Sequence, residues 1–285
     1  MTVKSDIYVS SLAFLGMPAE EMIQTVAAHG WSLEFSSGLP FRPDMEALYV
    51  AAPFRKIPHN YFPAPEVPFV LNLASSNPAL RERSVRHCLQ GLELAKQADA
   101  PFFSAHAGFC IDPDPEHLGR KLPQDIPYDR AAHWGLFKDS LQVILAEAES
   151  MGLDFLLENN VVAAMNLWDN GSHPLFCADA EEIVQIMKEM DHPRLGLLLD
   201  TAHWKVSAGS LGFDKDARLA GIQPWVRGIH HSDNDGLLDT NEPLQEDYWF
   251  LQHQSAYSEL PQVLEVKRQA PEQINTQIDL LQQQG

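Results

Sequence analysis

Acidic and histidine side chains follow several apolar runs, at the point where each run stops. These residues share one position, the end of a mainly aliphatic run or the few residues after it, and they are Glu158, Asp200, His203, His230, Asp233 and Glu265. An aliphatic run of four to eight residues bounded by turn residues is typical of a buried parallel strand. In parallel α/β barrels the chemistry takes place where the strands end. The sequence therefore predicts carboxylates and imidazoles gathered at one end of a barrel, around a site the size of a metal ion.

The residue types at these positions indicate which ion is expected. Buried carboxylates are costly unless they are paired or bound to a cation, and one divalent ion would neutralise Glu158, Asp200 and Glu265 together. Three carboxylates with one imidazole form a mostly hard ligand set, which suits Mn²⁺, Mg²⁺ or Co²⁺ and is also compatible with Zn²⁺. We expect Mn²⁺.

The histidine ligand is left open between His230 and His231, because adjacent side chains on a strand face opposite sides unless the strand bulges. Asp233 is predicted to hold the ligating imidazole by a hydrogen bond, as carboxylates near metal histidines often do. Glu34 and His106 also end predicted strands, the second and the fourth. Each of these two is as consistent with an ordinary rim or core side chain as with a substrate contact, and we take both as candidate substrate-binding residues.

Composition limits the remaining possibilities. The 285 residues are 45% hydrophobic, which suits one domain with a large core, here the whole chain from 1 to 285. The net charge of −19 argues against nucleic acid and anionic membrane as partners. Three scattered cysteines predict buried thiols rather than a disulfide framework. No secretory leader and no apolar run of membrane-spanning length is apparent, so a cytoplasmic protein is expected.

Strand-like and helix-like segments alternate about eight times, which predicts an α/β fold of the (β/α)8 TIM barrel type. The predicted strands lie within residues 6–14, 31–38, 69–75, 101–108, 153–160, 195–200, 226–233 and 260–267. The stretch 109–127 is longer than a usual connection and is rich in proline and aspartate. It is expected either to close over a substrate or to pack against a second copy of the chain.

At these residues the chain resembles the xylose isomerase-like barrels. The motifs LLEN, DTAH, H-x-x-D and LEVK occur in the order and at the strand positions found in that superfamily, and the resemblance covers nearly the whole chain. It implies that Glu158, Asp200, His230 and Glu265 bind the metal and that His203 bonds substrate oxygens. The superfamily includes sugar phosphate isomerases and epimerases, ketose 3-epimerases, hydroxypyruvate isomerases, inosose dehydratases and, more distantly, endonuclease IV.

The expected function is therefore a metal-dependent isomerase or epimerase acting on a sugar or related α-hydroxy ketone. Glu158 and Glu265 would move the proton through an enediolate, as the matching pair does in the epimerases. The alternatives are a dehydratase of an inosose or keto-sugar, an endonuclease IV-like metal hydrolase, and a non-catalytic barrel subunit; a homo-oligomer is compatible with each. Two departures from the pattern of the superfamily argue against two of its activities, those of endonuclease IV and of the ketose 3-epimerases. The predicted third strand offers Asn72 where endonuclease IV-type barrels have a histidine, and Gly236 lies where ketose 3-epimerases carry an arginine.

Overall fold

Eight parallel strands alternate with helices in the computed structural model, which describes residues 7–117, 119–124 and 126–283. The strands are β1 Ile7–Ser10, β2 Ser32–Phe35, β3 Lys56–Pro58, β4 Phe102–His106, β5 Asp154–Glu158, β6 Leu195–Asp200, β7 Val226–His231 and β8 Gln262–Leu264. The helices are α1 Ala19–His29, α2 Met45–Ala51, α3 Pro78–Gln97, α4 Arg130–Met151, α5 Ala180–Met190, α6 Thr201–Leu211, α7 Lys215–Ile222 and α8 Pro271–Gln283.

The sheet rolls into a nearly closed barrel. Its strand order is β3-β2-β1-β8-β7-β6-β5-β4, with β1 paired in parallel to both β2 and β8. The two edge strands meet at one bridge, between His59 and Ser104, where the peptide nitrogen of Asn60 donates to the carbonyl of Ser104 at 3.0 Å. The predicted (β/α)8 barrel is confirmed, and all the strand carboxyl ends lie on one rim.

Helix ends follow the local chemistry of the sequence. Asn77, Asp129 and Asp179 precede α3, α4 and α5, and each accepts a hydrogen bond from a peptide nitrogen in the first turn. Asp200 does the same for α6, because its Oδ1 accepts from the peptide nitrogen of His203 at 2.8 Å. The carboxyl end of β6 is thus joined directly to α6, and this junction fixes the orientation of the Asp200 side chain.

The third strand is not where the sequence pattern placed it. Residues 69–75 form a loop, and β3 is the three-residue segment Lys56–Pro58. The apolar side chains of the loop are buried, but its backbone is held by side chains: the peptide nitrogens of Leu71 and Asn72 donate to the hydroxyls of Tyr61 and Ser84 at 2.8 Å and 2.9 Å. The Asn72 side chain in turn accepts from the peptide nitrogen of Phe109 and donates to the carbonyl of Ile111, both at 2.9 Å. Asn72 therefore clamps two loops together, and His59 takes the rim position after β3.

A second, smaller apolar cluster lies outside the main core. It is formed by the loops that follow β3, β4 and β5, and its buried members are Val70, Phe109, Ile111, Leu122, Val162, Leu175 and Ala178. The long connection after β4 is tied into it, since the peptide nitrogen of Leu122 donates to Asn166 at 2.8 Å. Part of residues 109–127 thus packs on the β5–α5 loop of the same chain.

Two further sequence expectations bear on the whole chain. The three cysteines are buried free thiols, as predicted. Across the part of the chain that the structure describes, no helix combines the length and the apolar character needed to cross a membrane.

Glycine sets the distance between α3 and β4, and this gives a test of the fold. A Cβ at Gly91 would lie 2.3 Å from the ring of Phe103, whereas a Cβ at Gly135 on α4 would meet nothing within 4 Å. We expect Gly91→Ala to lower the free energy of unfolding by about 1–3 kcal/mol through overpacking. Gly135→Ala, the matched control, should raise it by about 0.5–1 kcal/mol. Urea unfolding measures both; equal effects would contradict the close α3–β4 packing.

Candidate metal centre

Four side chains from neighbouring strands converge at the rim of the barrel. Glu158 ends β5, Asp200 ends β6, His230 lies in β7 and Glu265 follows β8 directly. One ligand atom from each lies within 4.8 Å of the other three. The Nδ1 of His230 is 3.1 Å from Glu265 Oε2, 3.4 Å from Glu158 Oε1 and 3.9 Å from Asp200 Oδ2. The four residues singled out as ligands in the sequence are thus brought together.

The geometry of this group fits a divalent cation. Ligand oxygens and nitrogens at about 2.0–2.4 Å from one ion lie at most about 4.8 Å apart. Glu158, Asp200 and Glu265 are all buried. Asp200 Oδ2 is inaccessible to solvent and has no hydrogen-bond partner among the described residues. Buried carboxylate oxygens of this kind are costly unless a cation lies beside them.

A fourth carboxylate, that of Glu34, orients the histidine. Glu34 on β2 is 0% exposed, and its Oε2 lies 2.8 Å from the Nε2 of His230. Burial lowers the pKa of His230, but Glu34 and Glu265 outweigh it and raise that pKa well above its usual value, so both ring nitrogens carry a proton when no cation is bound. A cation would replace the proton on Nδ1, and the hydrogen bond from Nε2 to Glu34 would then hold the tautomer whose Nδ1 lone pair faces the centre. The sequence suggested a substrate contact for Glu34, whereas the structure buries it behind the histidine.

Asp233, expected to hold the ligating imidazole, has other partners. Its Oδ1 accepts from Lys205 Nζ at 2.7 Å and from the peptide nitrogen of Asn234 at 2.9 Å. The chain leaves the barrel wall after His231, and residue 233 pairs with Glu242 in a loop. The orienting role expected of Asp233 is thus filled by Glu34, from a strand on another part of the barrel.

The alternation of the strand separates the two adjacent histidines. His231 faces away from the carboxylates, with Nδ1 3.1 Å from the Tyr248 hydroxyl and Nε2 3.1 Å from Gln262 Oε1. Burial lowers the pKa of His231 to about 3, so this side chain is neutral and structural. Of the two, His230 is the residue that points at the carboxylate group.

Two further histidines lie against Glu158. His59 Nε2 and His106 Nδ1 are 3.2 Å and 3.3 Å from Glu158 Oε2, and His59 Nδ1 is 2.8 Å from the Ser104 hydroxyl. His59, His106 and Glu158 form a second group that could hold a cation. Sequence reasoning missed His59, because a three-residue strand containing lysine and proline shows no periodicity. The histidine absent from residues 69–75 is therefore supplied by His59.

His203 lies at the start of α6, between the carboxylates of the candidate metal centre and the carboxylate of Asp239. Its Nδ1 is 2.9 Å from the carbonyl of Asn159, and its Nε2 is 3.4 Å from Asp239 Oδ2. Nδ1 is also 3.8 Å from oxygens of both Glu158 and Asp200. Asp239, in the loop after β7, was not singled out from the sequence, where its only signal is an acid following two leucines.

The acids and histidines at this rim have pKa values that are shifted in different directions. Burial raises the pKa of Asp200 to about 8. Burial also raises the pKa of Glu158, but His106 and His59 outweigh it and hold that pKa well below its usual range. Burial lowers the pKa of His106 to about 4. Burial lowers the pKa of His203 as well, but Asp200 and Asp239 outweigh it and raise that pKa well above its usual value. Asp200 is thus the acid that most needs a cation.

A cavity of about 410 Å³ opens beside this group. His106, His203 and Asp239 lie in its wall, together with apolar side chains that include Phe109, Met165 and Leu238. Of the three substrate-contact candidates from the sequence, His106 and His203 line the cavity, and Glu34 does not. The rim thus combines a cation-sized carboxylate group with a space for a small organic molecule.

Comparison with known proteins agrees with the barrel fold. A sequence model of the family "Xylose isomerase-like TIM barrel" matches residues 19–284. Among solved structures, a D-tagatose 3-epimerase-like protein has TM-score 0.73 and 18% identity, over 98% of this chain and 96% of that one. The 3-keto-D-glucoside 4-epimerase of E. coli has TM-score 0.69 and 14% identity, over 99% of both chains. An AP endonuclease, family 2, from Brucella melitensis has TM-score 0.64 and 16% identity, over 95% of this chain and 96% of that one. A search of curated proteins found no match to the sequence.

The buried carboxyl of Asp200 makes the stability of the metal-free protein depend on pH. Its folded-state pKa of about 8 lies above its unfolded value of about 3.9, so the stability that its protonation contributes is lost as pH rises through about 8. Asp200→Asn cannot ionise. With EDTA present, we expect this variant to have a higher melting temperature than the wild type at pH 9, by about 2–4 °C for each kcal/mol. The difference should be smaller at pH 5, where only the unfolded wild-type chain has begun to ionise this carboxyl.

Asp139→Asn, at an exposed site on α4, is the matched control and should follow the wild type at both pH values. Thermal unfolding followed by circular dichroism gives the comparison. A wild-type advantage at pH 9 would show that the Asp200 charge is compensated without an ion.

The roles of Glu34 and Asp233 are separated by metal affinity. Glu34→Gln removes the carboxylate that fixes the tautomer of His230, and loss of such a partner weakens metal binding by about 10–100-fold. Asp233→Asn alters an acid paired with Lys205 and should leave the affinity within about twofold. Calorimetric titration of each metal-free protein with Mn²⁺ measures both. Equal losses in the two variants would contradict the assignment of Glu34 as the orienting residue.

Proposed function

Since the chain belongs to the xylose isomerase-like TIM barrel family, we propose that it is a divalent-metal-dependent isomerase or epimerase of a sugar or related α-hydroxy ketone. The observation that carries this proposal is the convergence of Glu158, Asp200, His230 and Glu265 beside an open cavity. Two of these four residues are glutamates on well-separated strands, β5 and β8, which suits proton transfer on either side of a substrate carbon.

The proposed cofactor is one ion held by these four side chains, with Mn²⁺ favoured by three carboxylates and one imidazole. When bound, it would supply Lewis acidity to the carbonyl and neighbouring hydroxyl oxygens of the substrate. Its charge would also offset the cost of the unpartnered oxygen on Asp200.

Glu158 and Glu265 are proposed as the acid–base pair. They lie on either side of His230, at 3.4 Å and 3.1 Å from its Nδ1. The pKa of Glu158 lies well below its usual range, so Glu158 is ionised at neutral pH, which is the form that can take a proton from the carbon next to the carbonyl. Glu265 then returns a proton to the substrate, on the same or the opposite face according to whether the product is an isomer or an epimer.

His203 and His106 are proposed to bind substrate oxygens in the cavity. His203 carries a positive charge near neutral pH because of Asp200 and Asp239, so it can donate a charge-assisted hydrogen bond. His106, with a pKa lowered to about 4 by burial, stays neutral and can donate from one ring nitrogen while it accepts at the other. The names of two structural neighbours, a tagatose 3-epimerase-like protein and a keto-glucoside 4-epimerase, support sugar-type chemistry.

Dehydration of an inosose or keto-sugar is the nearest alternative, because it begins with the same proton abstraction.

Metal-dependent phosphodiester hydrolysis is the second alternative, and one observation favours it: His59, His106 and Glu158 form another cation-sized group that shares Glu158 with the first. The net charge of −19 opposes binding to DNA. Two tightly bound ions per chain, with cleavage of an abasic duplex, would favour the hydrolase; no tightly bound ion would favour a non-catalytic barrel.

The proton-transfer role of Glu265 is tested by Glu265→Gln. The amide oxygen still coordinates a cation but cannot shuttle a proton, so we expect turnover to fall by at least about 100-fold while much of the metal is retained. Turnover would be screened on ketoses, keto-glycosides and inososes, and bound metal measured by elemental analysis. The exposed Glu259→Gln is the matched control. Full activity of Glu265→Gln would remove glutamate acid–base chemistry from the proposal.

Solvent exchange tests the route of the hydrogen. A carboxylate that holds the abstracted proton exchanges it with water at least part of the time, so product formed in deuterated water should carry deuterium at the carbon next to the carbonyl. Mass spectrometry and proton NMR of the product measure the label. Unlabelled product at slow turnover would indicate hydride transfer instead.

A further inference from the structure

The cavity beside the carboxylate group changes in character along its wall. His106, His203 and Asp239 are the residues that also contact, or lie close to, Glu158 and Asp200. Much of the remaining wall is apolar and includes Leu71, Phe109, Leu122, Val161, Met165 and Leu175. Tyr61, Thr240 and the exposed Arg120 are further polar residues of the wall. The cavity thus has a polar part next to the metal ligands and an apolar part away from them.

The two asparagines in this wall are already engaged with the protein. The Asn160 side-chain amide donates to the carbonyls of Gly108 and Phe176, at 3.2 Å and 2.8 Å. Asn166 Oδ1 accepts from the peptide nitrogen of Leu122 at 2.8 Å. A sugar hydroxyl placed against the apolar side chains of Leu71, Phe109 or Leu175 would lose hydrogen bonds to water that these side chains cannot replace, which disfavours a polar group at that part of the wall.

The apolar part belongs to a preformed structure. Phe109, Leu122 and Leu175 are members of the smaller apolar cluster, and its loops are joined by backbone hydrogen bonds from Cys110 to Pro174 and from Phe176 to Gly108. At the mouth, Leu238 lines the cavity and is 44% exposed, and its neighbour Leu237 is 66% exposed. Exposed apolar side chains next to a cavity are typical of a surface that binds an apolar group.

We propose that the substrate is a glycoside-type molecule, with a ketose-like head at the metal ligands and an apolar alkyl or aryl group in the apolar part of the cavity. This inference rests on the proposed function and adds the substrate class. The volume of about 410 Å³ lies within the range of about 300–1,000 Å³ found for pockets that enclose drug-sized ligands. The apolar group supplies binding energy away from the reacting carbon, and the head supplies the oxygens for His106 and His203.

Hydroxamates test this, because they chelate divalent ions through two oxygens as an α-hydroxy ketone does. Acetohydroxamate and hexanohydroxamate would be titrated calorimetrically into the full-length chain loaded with Mn²⁺. Each methylene buried in the cavity should tighten binding about fourfold, so the hexanoyl compound should bind at least about tenfold more tightly. Leu238→Asn should weaken hexanohydroxamate about three- to tenfold and leave acetohydroxamate unchanged.

Leu237→Asn is the matched control, since this neighbouring leucine is exposed but does not line the cavity, and both affinities should stay as in the wild type. Equal affinities for the two hydroxamates would overturn the substrate inference and leave the metal centre in place. A chain-length gain that is the same in both variants would place the alkyl group outside the cavity and would also overturn it. Failure of both compounds to bind would count against the metal centre, and the inference would fall with it.

Discussion

Four carboxylates, those of Glu34, Glu158, Asp200 and Glu265, surround one imidazole in the interior of the barrel rim. Removing a carboxylate from water costs several kcal/mol in real proteins, and the cost is recovered only through opposite charge and hydrogen bonds. The histidines stabilise some of these carboxylates more than others. Glu158 lies against His59, His106 and His230, whereas Asp200 has only more distant imidazoles, at 3.8–3.9 Å. Burial is the main cause of the raised pKa of Asp200, the distant imidazoles do not offset it, and a cation bound to Asp200 would lower that pKa.

Strand register is what brings these groups together. In the parallel pairing of β4 with β5, His106 lies opposite Glu158, and in the pairing of β6 with β7, Asp200 lies opposite His230. A slip of one residue in either pair would turn one of the two side chains to the other face of the sheet. The long apolar strands β5, β6 and β7, which fix the register, therefore also fix the site. The fully buried residues of β6 leave little room for another pairing.

The length of each strand decides how much of the site could be predicted from the sequence. Strands of five or six residues that combine buried apolar residues with an acid or a histidine at or next to the last position, such as those of Glu158, Asp200 and His230, indicate both the barrel and the cation-binding group. The three-residue strand before His59 gives no such signal, and residues 69–75 imitate a strand because loop packing buries them as fully as a sheet would. Contacts between residues distant in sequence could not be predicted from local patterns either. Glu34 and His230 are 196 positions apart and meet only when the barrel closes.

Glu158 is shared by the two cation-sized groups. The number of metal ions bound at these groups therefore decides whether Glu158 can act as a base. With an ion only among Glu158, Asp200, His230 and Glu265, the Glu158 oxygen that faces His59 and His106 is free to accept a proton from a substrate carbon. With a second ion between His59, His106 and Glu158, both oxygens of Glu158 would serve as ligands, and the carboxylate would lose its function as a base. The proposed isomerase therefore requires that His59 and His106 stay free of metal, with their imidazoles holding the pKa of Glu158 low. The hydrolase alternative requires the opposite, so the number of ions held at this rim separates the two functions on the same fold.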